Sequence, residues 1–105
     1  DSVTVSALIK DESIWITQKA MAELFGVDKS GISRHLANVF VSGELEETLG
    51  VAKIATPNPH GRTEGTTQFI PTNYYNLDAI ISVGYRVNSI FRSSYVKMVR
   101  LRVLN

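Results

Sequence analysis

The run TQKAMAELFGVDKSGISRHL, residues 17 to 36, constrains the fold of this chain more than any other stretch, because it fixes two short helices and the turn between them. Thr17 offers a hydroxyl to cap the first helix, and Met21, Leu24 and Phe25 recur on one helical face. Gly26 follows at once. A residue that must leave a helix with a positive φ is most cheaply a glycine. Ala22 is small where a second helix has to cross closely, and Val27 plugs the turn. Asp28 caps the second helix, and Ile32 and Leu36, four apart, hold it against the first. The pattern is that of a helix-turn-helix.

With the inward positions assigned, Lys29, Ser30, Ser33 and Arg34 remain outward at the start of the second helix, with His35 beside them. A short, cationic, hydrogen-bonding set of this kind meets phosphates and base edges in a major groove. Arg34 is placed for guanine; Lys29, Ser30 and Ser33 are shared between phosphate and base edges; Gln18 and Lys19 are placed for phosphate. Ordinary helical hairpins also have caps, glycine turns and solvated charges, so the joint occurrence at these offsets carries the reading. It points to double-stranded DNA. One short reading helix covers only a few base pairs, which makes a homodimer the expected form.

Strand signals flank the motif. Val3, Val5, Ala7 and Ile9 alternate with Thr4, Ser6 and Leu8, and KDES at 10–13 turns the chain into a second strand at 14–16, so a β-hairpin precedes the helices. Trp15 points away from Ile14 and Ile16 and is read as structural. The second helix continues through Ala37, Val39 and Phe40 to Gly43, and ELEETL forms an acidic turn. Residues 51–56 and 67–75 are β-branched and aromatic, separated by PNPHGRTEG, and predict a hairpin with a long loop. A hairpin after a helix-turn-helix is what a winged domain provides. Its loop carries His60 and Arg62, placed for a minor groove or a phosphate.

Asn76 or Asp78 caps a further helix over 77–87, with Leu77, Ile80, Ile81 and Gly84 on a core face that Tyr85 extends. A last helix is expected over 90–104, where Phe91, Tyr95, Met98, Val99 and Leu101 interleave with basic residues. The expected fold class is α+β: a helix-turn-helix with an N-terminal β-hairpin and a wing-like β-hairpin (winged-helix-like), followed by C-terminal helices.

Composition narrows the function classes. At 105 residues, 44% hydrophobic and 20% charged, the chain reads as one globular domain. The absence of cysteine excludes a disulfide scaffold, a cysteine zinc site and a thiol nucleophile, and it suits a reducing compartment. No apolar run reaches the roughly 18 to 20 residues that span a bilayer, and the first residues lack a signal pattern, so a cytoplasmic protein without a membrane partner is expected. The formal net charge is only +1, but it is unevenly spread. Acids cluster at Glu44, Glu46 and Glu47, whereas beyond Asp78 there is none and Arg86, Arg92, Lys97, Arg100 and Arg102 accumulate. Neither His35 nor His60 is paired with an acid at triad or metal spacing, and no glycine loop with a lysine is present to cradle phosphate. No catalytic residue, metal or cofactor is expected.

Two stretches go beyond a generic motif: SIWITQKAMAELFGVDKSGISRHLANVFVSGELEE, with VAKIAT following, and YYNLDAIISVGYRVNS. On these the chain resembles the RhuM family, bacterial proteins of pathogenicity islands and mobile elements found near type I restriction-modification genes. It is distantly similar to phage Bro and KilA amino-terminal domains. The likeness covers residues 3 to 89, with 90–105 a divergent basic segment. It implies a DNA-binding domain of a transcriptional regulator or a DNA-recruiting module that reads the major groove with the helix over 29–40, residues 29–36 being the reading part. A protein-interaction or oligomerisation module, binding a restriction or toxin component, is the alternative from another class, and the weak net charge speaks for it.

Overall fold

The computed structural model describes residues 2–57, 68–91 and 98–104. Strands β1 (Ser2–Lys10) and β2 (Ser13–Thr17) form the expected hairpin, paired from Leu8↔Trp15 to Lys10↔Ser13. Its two-residue turn holds Asp11 and Glu12 at φ 51° and 57°, the left-handed pair whose twist matches that of the strands it joins. Trp15 staples the hairpin end. Its Nε1–H donates to the Lys10 carbonyl at 2.8 Å, and the Lys10 ammonium lies 5.2 Å from the ring centre.

Helix α1 (Gln18–Phe25) starts directly from β2, and α2 (Lys29–Val41) follows after the turn. The acidic stretch becomes a single helical turn, α3 (Glu47–Gly50). Strands β3 (Val51–Pro57) and β4 (Phe69–Tyr75) pair antiparallel from Val51↔Tyr75 out to Pro57↔Phe69. The ribbon is anchored by two pairs to β2, Ile16↔Tyr75 and Thr17↔Tyr74, immediately before α1 begins. Helix α4 (Leu77–Phe91) is capped by Asn76, whose Oδ1 accepts from the Ala79 N–H at 3.1 Å and whose Nδ2 donates to the Leu49 carbonyl at 3.0 Å. Of the two candidate caps, Asn76 serves.

Two expectations are corrected. The last helix expected over 90–104 is replaced in its second half by a strand, β5 (Met98–Val103), which lies parallel to β1. The reason is period: Val99, Leu101 and Val103 alternate with Arg100 and Arg102, which suits a pleated strand and not a helix. The core face of α4 is also different. Ala79, Ile80, Val83 and Val87 are the buried positions, while Leu77, Ile81 and Tyr85 form an exposed ridge on the far side. Small side chains let α4 approach the sheet and its neighbours, and Gly84 is turned to the Phe25 ring, where a Cβ would lie 3.2 Å from it.

The result is an α+β fold with a five-stranded mixed sheet in the order β3-β4-β2-β1-β5 and four helices. One sheet face contributes Val5, Ala7, Ile16 and Tyr75 to the core; the helices contribute Ala20, Met21, Ile32, Leu36, Ala79, Ile80, Val83 and Val87. Among the described residues no helix is long and apolar enough to cross a membrane.

Candidate nucleic-acid interface

Local chemistry builds the two-helix unit as its residues require. Thr17 has extended backbone, φ −83° and ψ 168°, and its Oγ1 accepts from the Ala20 N–H at 3.1 Å. Gly26 closes α1 in the left-handed region, φ 68° and ψ 32°, and its N–H donates to the Ala22 carbonyl at 2.9 Å. Val27 donates to the same carbonyl at 3.2 Å. The chain is thereby turned sharply into α2.

Asp28 organises the start of α2. One carboxylate oxygen accepts from the Gly31 N–H at 2.9 Å, and the other accepts from the Ser30 hydroxyl at 2.9 Å. A Cβ at position 31 would meet Asp28 Oδ1 at 2.8 Å, so the cap closes this tightly only over a glycine. The Gly31 N–H, the Ser30 hydroxyl and the Arg34 charge, in that order, hold the Asp28 carboxyl below its ordinary value. This anion beside the outward face of α2 partly offsets its cations.

The structure brings Gln18, Lys19 and Lys29 together. With Thr17 they line one side of an open cleft of about 400 Å³ whose other wall is Pro71, Thr72 and Asn73 of β4. Two helix starts and two lysines converge there, an arrangement in which unpaired backbone N–H groups and positive charge act on the same side. Gln18 is half-buried, and one N–H of its Nε2 donates to the Tyr75 hydroxyl at 2.9 Å, which ties the side chain to β4 and leaves a second amide N–H to donate. Lys19 and Lys29 are exposed.

Ser30, Ser33 and Arg34 are exposed on α2. Ser30 is engaged with Asp28, so its hydroxyl proton is already placed, and it keeps acceptor capacity. His35 is half-buried and stands apart from the exposed set. His60 and Arg62 lie outside the described residues.

Sequence spacing missed the wall contributed by β4. Pro71, Thr72 and Asn73 come far along the chain and reach the cleft only because Thr17 pairs with Tyr74. The ribbon is braced there by a 2.6 Å hydrogen bond between the Thr56 and Thr72 hydroxyls. A neighbouring open cleft of about 350 Å³ adds Lys53, Thr48 and Glu47 on the far side of Asn73. No local pattern marks these residues.

Among the described residues, no three His, Cys, Asp or Glu side chains come together in a way that could hold a metal ion. The cleft presents positive charge, hydroxyls and amides on an open surface. Compared with known proteins, the chain matches no family model, no curated protein and no solved structure.

Proposed function

We propose that this chain is a double-stranded DNA-binding domain of the RhuM type, working as a homodimer in a transcriptional regulator or a DNA-recruiting module. The observation that carries the reading is the convergence of Gln18, Lys19 and Lys29 on one cleft beside the exposed Ser33 and Arg34 of α2. In this reading α2 lies in the major groove, with Arg34 on guanine and Ser33 on phosphate or a base edge. Lys19, Lys29 and the remaining Gln18 amide N–H hold the backbone beside it. The β3–β4 ribbon serves as a wing, with Asn73 and Lys53 facing the same nucleic acid. Such a wing makes the fold a winged helix in function.

The test is fluorescence anisotropy of labelled genomic duplex fragments at low and physiological salt, run beside a Lys29→Ala, Arg34→Ala double variant. Wild-type binding that weakens with salt and is lost in the variant supports the reading helix. Binding that is absent, or equal in both proteins, overturns it. A second reading, a protein-interaction or oligomerisation module of a mobile-element, restriction or toxin system, is favoured by the exposed ridge of Leu77, Ile81 and Tyr85. Association through such a ridge would not weaken as salt rises.

A further inference from the structure

Strand β5 closes one edge of the sheet and is paired on one side only, to β1, in the register Val3↔Val99, Val5↔Leu101 and Ala7↔Val103. That register puts Val99, Leu101 and Val103 on the face that carries the core. Val5 and Ala7 are 1% and 0% exposed, whereas Val99, Leu101 and Val103 are 42%, 42% and 54% exposed. The apolar surface of the sheet therefore runs on past the helices that cover it. Arg100 and Arg102, beside Thr4 and Ser6, stand on the opposite face and are exposed.

The backbone of β5 is equally asymmetric. The Leu104 N–H donates to the Ala7 carbonyl at 2.9 Å, so the even-numbered residues turn their peptide groups toward β1. Alternation then aims the N–H and C=O of Val99, Leu101 and Val103 outward. Among the described residues no strand takes them up. The opposite edge strand, β3, carries the usual defences, an exposed lysine at 53 and a proline at 57. Strand β5 has no lysine or proline, and its charged side chains are Arg100 and Arg102, which repel a like-charged strand and attract an acidic one.

We propose that β5 is a docking strand for an extended acidic segment of a protein partner, which adds to the sheet edge with carboxylates on the Arg100 and Arg102 face and apolar side chains on the Val99, Leu101 and Val103 face. Main-chain hydrogen bonds supply the attachment and the alternating side chains supply the choice of partner. A second copy of this chain fits worse. Antiparallel pairing of two β5 strands about a two-fold axis normal to the sheet keeps each face on its own side. Every centred register then sets an arginine of one copy against or diagonal to an arginine of the other, and like charges across strands are destabilising. Carboxylates in the same places form charge-assisted pairs.

The test titrates the ¹⁵N-labelled chain of 105 residues with an acetylated octapeptide alternating valine and glutamate, and with its valine–lysine counterpart. The expected result is amide shifts centred on Val99, Leu101 and Val103 with the glutamate peptide alone. An Arg100→Glu, Arg102→Glu double variant, whose thermal melt shows it folded, should lose about tenfold in affinity for that peptide and gain binding to the lysine peptide. Absence of binding at millimolar peptide overturns the proposal, as do shifts elsewhere or affinity indifferent to the charge swap. Sedimentation of the free chain as a dimer that the same double variant alters assigns the edge to a second copy. Loss of duplex DNA binding in the double variant, with peptide affinity unchanged, assigns the arginines to DNA.

Discussion

At the scale of single residues, the α1–α2 unit rests on side chains that each satisfy one backbone need. Gly26 sits at φ 68°, where an L side chain is strained whatever space surrounds it, and none of the surrounding atoms would meet its Cβ. Gly26→Ala should therefore cost about 1–2 kcal/mol purely through the backbone, read as a lower urea midpoint with an unchanged denaturant slope. Asp28 makes a pH prediction. Its native carboxyl is held below the ordinary 3.8, so the charged cap stabilises the fold at all pH values above that figure. As pH falls below 3.8 the unfolded chain takes up the proton first and the contribution fades, and it is gone once pH passes the lowered native value. The protection of the Gly31 amide, its exchange rate relative to the intrinsic rate at the same pH, should fall over that window in the native chain and hold steady in Asp28→Asn, which keeps a capping oxygen that does not titrate. Thr17, Gly26 and Asp28 were legible in sequence because capping is settled within three or four residues.

At the scale of elements, legibility depended on whether a face is chosen locally. The inward positions of α2 followed from Ile32 and Leu36, but in α4 the larger side chains misled. Leu77, Ile81 and Tyr85 are bulkier than Ala79, Val83 and Val87, yet the close approach of α4 to Phe25 and the sheet selects the small set. Adjacent isoleucines make the test. Ile80→Ala should cost about 2–5 kcal/mol, as buried aliphatic truncations do, whereas Ile81→Ala, at a position 49% exposed, should cost under about 1 kcal/mol. Equal costs in thermal or urea unfolding would mean that the ridge is covered in solution. The strand β5 carried its signal in plain view, Val-Arg-Leu-Arg-Val, but basic and apolar residues interleave at helical spacing too, and only pairing with β1 decides between them.

At the scale of the whole molecule, the candidate interface is a product of topology. Lys19 and Lys29 were found by local spacing; Asn73 was not, because only the pairing of β4 with β2 brings it beside the helix starts, and Lys53, paired with Asn73 one strand further out, lines the neighbouring cleft. In the DNA-binding reading Lys19→Ala should weaken all duplexes alike and reduce the salt slope by about 1, while Arg34→Ala should cost about 1–3 kcal/mol and relax specificity at one position. Anisotropy across a salt series on two unrelated duplexes separates the two effects. Removing residues 98–105 should lower stability by about 2–4 kcal/mol, half the usual burial value for three aliphatic side chains, and should expose the β1 edge to amide exchange. An unchanged urea midpoint would place β5 outside the cooperative unit.

The parallel pairing of β1 with β5 also has a temporal side. Ser2 and Met98 are neighbours in the sheet although they are about a hundred residues apart along the chain. A ribosome adding about 5–20 residues per second releases the first strand roughly 5–20 s before its last neighbour exists. During that interval Val3 and Val5 wait without the strand they pair with, and the nascent chain is open to stray pairing with another strand.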